Sequence, residues 1–317
     1  MLDRSDIDAA QDTIARYVHH TPTFSARRLG RAIGTRLFHK AELFQKTGSF
    51  KPRGALNRVH NTPSSGLQRG LITVSAGNHA QGLAYAAREV GARCMVVMPE
   101  NAPRVKVDAT RSYGAEVVLH GDVNQAYEKM EELRAEHGLT LVHPFDDPLV
   151  ISGQGTIGLE ILDDVQDVTL IVVPVGGGGL ISGIGLAAKT RRPSVRIVGV
   201  EPAGAAPMRA SWDAGHPVRL SSVDTFADGL AAPLVSDLTY QLSRSYVDEV
   251  VTVTEDELVQ GLEALMTSAK LYAEGGGAAP TAALLAGKVE LDGDDVVVAV
   301  VSGGNLDWQM LGELING

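Results

Sequence analysis

The sequence predicts an open, doubly wound α/β architecture, and three observations carry that prediction. Short apolar runs alternate with helical patterns along most of the chain. Glycine is abundant, at 35 of 317 residues, while aromatic residues make up only 5%. Small and branched apolar side chains dominate, a mix that suits parallel strands buried on both faces with helices packed closely over them.

Taken in order, 71–74 reads as a strand and 77–88 as a helix; 94–98 is a strand and 103–113 a helix. Strand 117–119 precedes helix 123–137, and the short strand 141–143 precedes helix 152–162. Strand 170–175 leads to helix 180–189 and then to strand 196–200. Near the end, 255–273 and 280–287 read as helices and 296–301 as a strand. The patch 62–66 reads as a loop, and no repeat or low-complexity segment is present.

Composition excludes several classes. Hydrophobic residues are 44% and charged residues 21%, an ordinary globular balance. The formal net charge is −10, which argues against a nucleic-acid partner, because neutralising phosphates needs clustered Lys and Arg. The doublets Arg27-Arg28 and Arg191-Arg192 are isolated and read as solvated faces. Cys94 lies in an apolar run and reads as a small core residue, and a single cysteine fits a reducing compartment. The first sixteen residues are polar and carry no signal-peptide segment. No apolar run approaches the ~18 to 20 residues that span a bilayer. A cytoplasmic protein that meets neither membrane nor nucleic acid is the expectation.

Four segments carry chemistry. In Ser49-Phe50-Lys51-Pro52-Arg53-Gly54-Ala55, a lysine stands between Phe and Pro in a glycine-bounded turn. Lysine amines form Schiff bases with carbonyl cofactors when burial or a nearby cation lowers their pKa; by itself the pattern also fits a surface-loop lysine. Ser75-Ala76-Gly77-Asn78-His79 follows a strand and opens a helix, so its free N–H groups suit an anion such as a substrate carboxylate, although a polar capping turn would look the same. Gly176, Gly177, Gly178 and Gly179 lie between a buried strand and a helix, where consecutive N–H groups can cradle a phosphate with no Lys or Arg nearby. Ser302-Gly303-Gly304-Asn305 follows the last strand. Asn78, the glycine run and Ser302 all fall at carboxyl ends of strands, where ligands of open α/β sheets sit.

A rival reading stays open at this point. Gly177-x-Gly179-x-x-Ser182, with Glu201 about twenty residues on, approaches a dinucleotide fingerprint and would make the chain a nicotinamide-dependent oxidoreductase. It leaves the Lys51 and Asn78 segments unexplained.

Together the four segments, with His20-Thr21-Pro22 and Glu274-Gly275-Gly276-Gly277-Ala278, resemble in order the fold-type-II pyridoxal 5′-phosphate enzymes, of tryptophan synthase β-like fold, in the threonine dehydratase and serine racemase branch. The resemblance implies that Lys51 forms the Schiff base and moves the proton at the substrate α-carbon. Phe50 would pack near the cofactor ring and Asn78 would bond its hydroxyl. Gly176 to Gly179 would take its phosphate, and Ser302 would face its nitrogen. Ser75, Ala76, Gly77, Asn78 and His79 would hold the substrate carboxylate. Glu274 would lie near the ring. The implied reaction is β-elimination on a 3-hydroxy amino acid, foremost L-threonine to 2-oxobutanoate and ammonia, with L-serine to pyruvate beside it. Racemisation and hydroxyaspartate dehydration are the alternatives of the same fold.

Two departures sharpen the branch. Racemases of this group resemble SSGNH, with a second serine as opposite-face proton carrier; here that position is Ala76. Members with a divalent cation site place a second acid six residues after the one matching Glu201; here Pro207 stands there, so no divalent metal is expected, while a monovalent ion on carbonyls stays open. The resemblance further implies a large domain of 1–50 with 142–317, a small mobile domain of 51–141, and a homo-oligomer. Biosynthetic members resemble this core plus a regulatory domain; since the sequence stops at Gly317, no isoleucine feedback through such a domain is expected.

Overall fold

A computed structural model describes residues 2–316. Its strands are β1 (Thr23–Ser25), β2 (Arg36–Ala41), β3 (Leu71–Val74), β4 (Cys94–Met98), β5 (Glu116–Leu119), β6 (Thr140–Leu141), β7 (Leu170–Pro174), β8 (Arg196–Pro202), β9 (Glu249–Val253) and β10 (Val296–Val301). They form a six-stranded sheet in the order β1-β2-β10-β7-β8-β9 and a four-stranded sheet in the order β5-β4-β3-β6. All pairings are parallel except β1 with β2. Chain order reverses between β10 and β7, so the loops leaving these neighbours diverge and open a crevice at their carboxyl ends.

At the centre of the large sheet, β7 and β10 are buried on both faces, as their uninterrupted apolar runs require. Ile171, Val173, Val296, Val298 and Val300 contribute to one core, and Leu170, Val172, Val297 and Ala299 to the other. The small sheet repeats this split, with Leu71, Val96 and Met98 on one side and Ile72, Met95 and Val97 on the other. Among the described residues, no helix is long and apolar enough to cross a membrane.

Several sequence expectations need correction. The helix expected over 255–273 runs Glu255–Ala264, continues as a π-helical turn Leu265–Ala269, and stops at Lys270, whose φ is 61°. Residues 271–274 are then extended, and the Glu274 N–H reaches Gly303 O at 3.1 Å. The next helix is not 280–287 but Gly275–Leu285. Gly277 in it is needed for close contact: a Cβ there would lie 2.5 Å from Gly303 O. Helix 152–162 begins earlier, as Pro148–Asp164, because Asp147 caps it. The expected strand 141–143 is β6, two residues long, and part of the 62–66 loop opens the short helix Ser64–Arg69. Strands β1, β2 and β9 went unread; β1 is three residues long, and β2 is interrupted by His39 and Lys40.

Helix Gly179–Arg191 opens directly from the glycine loop, and backbone contact with helix Pro148–Asp164 fixes its seat. A Cβ on Gly183 would come within 2.4 Å of Ile151 O and 2.6 Å of Gly155 N. Gly183→Ala is therefore expected to lower stability by about 1–3 kcal/mol. Gly293→Ala, where an added Cβ meets nothing within 4 Å, should leave the denaturant midpoint nearly unchanged; comparing the two midpoints checks this.

Candidate active site

Lys51 is the first residue of helix Lys51–His60 rather than part of a free turn. The chain reaches it through Thr47 (φ 65°) and Gly48 (φ 73°), both left-handed, an unfavourable conformation for a β-branched residue that persists only when its surroundings over-determine it. Here they do. The Asn305 side-chain amide donates to Thr47 O at 2.8 Å, the Gly304 N–H to Gly48 O at 2.9 Å, and the Phe50 N–H to Ser302 O at 3.0 Å. The approach to Lys51 is thus stitched to the loop that follows β10. On its other side, helix Asn78–Glu89 comes so close that a Cβ on Gly82 would lie 3.0 Å from Lys51 Cβ.

Two residues past Lys51, the Arg53 guanidinium is fully buried. Its Nε and Nη2 donate to Glu42 at 2.8 Å each, and its Nη1 and Nη2 to Glu160 at 2.7 and 2.9 Å. Thr156 Oγ1 and His19 O accept the remaining bonds. Buried Lys40 completes the cluster, pairing with Glu160 at 2.7 Å and Asp164 at 3.2 Å. Charge and hydrogen bonding are both satisfied, the condition under which ions persist out of water. Arg53 thus anchors the helix that carries Lys51.

Lys51 Nζ donates to Pro144 O at 3.2 Å and lies 5.0 Å from the centroid of the Phe50 ring. Burial pulls its pKa down to about 8, against the opposing pull of Glu274. Glu274 is buried, and desolvation raises its pKa while Lys106, Asn78, the Asn305 N–H and Lys51 hold it back. The Asn78 side-chain amide donates to Glu274 Oε1 at 2.6 Å and accepts from Asn305 Nδ2 at 2.8 Å. So the Asn78 amide is oriented from both ends, and Glu274 stands directly behind it.

Ser75, Ala76 and Gly77 form a partly open loop after β3. Ser75 Oγ accepts from the Gly77 N–H at 3.2 Å, and a Cβ on Gly77 would meet open space. His79 differs from its neighbours. Its side chain is buried, its Nε2 bonds Val142 O at 2.9 Å, and its Nδ1 has no partner. Burial, with Lys51 adding to it, lowers its pKa to about 3, so the ring is neutral and only its backbone N–H lies beside the loop.

The glycine loop fits a phosphate by what it lacks. Among the described residues, no hydrogen bond uses the N–H of Gly176, Gly177 or Gly178, and Gly178 is buried. A buried donor without a partner is rare and costly, and at Gly178 it stands beside two half-buried free amides at a helix N-terminus, an arrangement that suits an anion. No side chain fits there: a Cβ on Gly177 would lie 2.2 Å from the Phe145 ring and one on Gly178 2.7 Å from Met208 Cε. Ser302 is buried at the end of β10, one residue before the Ser49–Gly303 bridge. The structure seats Phe50, Lys51, Asn78 and Ser302 around the loop after β10, and Phe145, next to the carbonyl that accepts from Lys51, packs on the glycine run, while His79 is turned away. It adds Pro144, Phe145 and Asn305. Asn305 lay within a motif already singled out, whereas residues 144–145 gave no signal beyond a proline after a strand.

The nucleotide reading fails on Glu201. It is wholly buried, and its two oxygens accept the N–H groups of Met208 and Arg209 at 2.8 Å each, so neither is free for a ribose. Pro207 opens the helix that these bonds cap.

Comparison with known proteins decides the class. Residues 14–303 match the family model described as pyridoxal-phosphate dependent enzyme. The chain belongs to this family. An L-threonine ammonia-lyase of Thermotoga maritima is 44% identical over 317 residues, covering 100% of this chain and 79% of the relative. The solved threonine deaminase of T.th. superposes with a TM-score of 0.91 at 41% identity, covering 96% of this chain and 99% of that one. Maize serine racemase superposes with a TM-score of 0.94 at 37% identity, covering 99% and 97%. The enzyme thus has fold-type-II architecture and depends on pyridoxal phosphate.

Two outcomes follow for this enzyme. Arg53→Leu would leave Glu42 as a buried carboxylate without its cation and Glu160 with Lys40 alone; denaturant unfolding is expected to show a loss of about 3–5 kcal/mol. His79 stays neutral in the fold down to about pH 3, whereas the unfolded chain takes up that proton near the ordinary histidine value of 6.5. Stability from this group is therefore lost as pH falls through that window. His79→Gln should shrink the difference between denaturant midpoints measured at pH 7 and pH 4.5.

Proposed function

We propose that the enzyme is an ammonia-lyase for 3-hydroxy amino acids, converting L-threonine to 2-oxobutanoate and ammonia and, as a second substrate, L-serine to pyruvate. The observation that carries this reading is the Lys51 amine, held at the crevice beside unpaired backbone donors, in a chain 44% identical to a threonine ammonia-lyase along its whole length.

The N–H groups of Gly176 to Gly179 would hold the cofactor phosphate, Asn78 its ring hydroxyl, and Ser302 its ring nitrogen, with Phe50 packed nearby and Lys51 Nζ on its aldehyde carbon. When bound, the cofactor supplies an electron sink for the pair left at the substrate α-carbon. The loop of Ser75, Ala76 and Gly77, with the first N–H groups of Asn78 and His79, would seat the substrate carboxylate. Lys51 Nζ, once free, would take the substrate α-proton. A pKa near 8 leaves a working fraction of that amine neutral at ordinary pH. Ser302 would bring a neutral hydroxyl to the ring nitrogen, so charge at the α-carbon would not be held for long, and the β-hydroxyl would leave as water with the proton that Lys51 Nζ took up. Water taken up later releases ammonia and the 2-oxo acid.

The likeness to maize serine racemase keeps racemisation as a second reading. It needs a second proton carrier, and the family resemblance puts that group at position 76, where Ala76 brings a methyl. The same reading includes a division into 1–50 with 142–317 and a mobile 51–141, supported by the segregation of β3–β6 into their own sheet. It also includes a cytoplasmic location and a homo-oligomer, the latter supported by apolar surface at Phe44 and Trp308, which are 50% and 74% exposed.

The test is keto-acid release from L-threonine, L-serine and L-threo-3-hydroxyaspartate, alongside Lys51→Ala. Rapid 2-oxobutanoate from L-threonine, abolished in the variant together with a borohydride-sensitive visible band, is expected. Formation of D-serine with little keto acid would transfer the reading to the racemase. Full turnover by Lys51→Ala would overturn the role of Lys51.

A further inference from the structure

One ion pair at the crevice has no part in the arrangement so far. Lys106 lies on helix Arg104–Ser112, which packs on the small-sheet side against helix Asn78–Glu89. Its side chain is only 11% exposed and its ammonium pairs with Asp228. Asp228 opens the turn Asp228–Leu230, which belongs to the large-sheet side: Leu230 is in that sheet's core, and the turn packs on helix Gly275–Leu285. The pair therefore bridges the two sides of the crevice.

Its position is next to the reacting region. A Cβ on Gly229 would lie 3.5 Å from Glu274 Oε1 and 3.9 Å from Asn78 Nδ2, and one on Gly176 would lie 3.2 Å from Leu230 Cα. Lys106 also feels Glu274 and Asp307, which favour its charged form against burial. Among the described residues, the cations that act on Glu274 are Lys106 and Lys51. With Lys51 committed to chemistry, Lys106 is the ammonium left to meet a substrate side chain, and Asp228 already occupies it. A neutral, short β-substituent can sit beside this pair. A β-carboxylate would have to displace Asp228 and would face Asp228 and Glu274 as like charges, a repulsive device that sets specificity as effectively as an attractive one.

We propose that Asp228 masks Lys106 and thereby makes the enzyme select neutral 3-hydroxy amino acids over those carrying a β-carboxylate. This rests on the lyase reading above and adds the residues that set its substrate class. The experiment compares holoenzyme of the wild type, Asp228→Asn, and Asp228→Asn with Lys106→Met. It measures kcat/KM for L-threonine and L-threo-3-hydroxyaspartate, and the dissociation constant of malonate by calorimetry. Asp228→Asn should shift the kcat/KM ratio at least tenfold toward hydroxyaspartate and bind malonate at least tenfold more tightly, and the double variant should lose both gains. An unchanged ratio and unchanged malonate affinity in Asp228→Asn, or gains that persist in the double variant, would overturn the proposal. Asp228→Ser serves as the second uncharged variant if Asp228→Asn does not fold. Wild type that releases no keto acid from either substrate would refute the lyase reading, while the malonate arm would still decide whether Asp228 masks Lys106.

Discussion

The buried contact between Arg53 and its two carboxylates is the constraint on which the site depends. Three pieces of chain meet there: the turn after β2 through Glu42, helix Pro148–Asp164 through Glu160, and the helix that begins at Lys51. None of them can shift without stranding a charge in a medium that solvates it poorly. A long, mobile amine would make an imprecise base on a surface loop. Here its backbone is held from behind by Arg53, from the side by Gly82, and from the front by the bonds to residues 302–305. The strain at Thr47 is tolerated because these contacts leave the backbone no alternative.

Glycine serves two purposes in this enzyme. In the helix pair joined through Gly155 and Gly183 it allows backbones to touch, which sets the angle at which helix Gly179–Arg191 points its N-terminus into the crevice. In the loop before that helix it leaves amides bare, because side chains there would collide with Phe145 and Met208. An anion bound there would meet fixed backbone dipoles, whose pull depends on geometry. The crevice charges are then few and specific. Lys51 is shifted toward neutrality by burial, His79 is neutral, and Glu274 is buried behind Asn78.

Much of this was legible in residue order. The four motifs stand at strand ends, and βα alternation with glycine runs and scarce aromatics indicates a doubly wound sheet. Where the reading failed, long-range contact had overridden local preference. The helix expected over 255–273 breaks at Lys270 so that Glu274 can reach Gly303, and in the next helix a Cβ on Gly277 would collide with Gly303 O and one on Gly275 with Ala227. Strand β2 could not be read because Lys40, wholly buried, looks like a surface residue until Glu160 and Asp164 are placed beside it.

The sequence by itself determined the chemistry: a lysine, a glycine cradle, an asparagine and a neutral serine in family order, with Ala76 and Pro207 marking the departures. These are properties of residue type and order, which one dimension holds in full. Only the tertiary structure decided which groups are charged, which are already occupied, and which face each other. The pairings of Arg53 with Glu160, Asn78 with Glu274 and Lys106 with Asp228 join residues more than a hundred positions apart. Burial and partner distance set their protonation and their freedom to act, and both arise only once the two sheets close on one crevice.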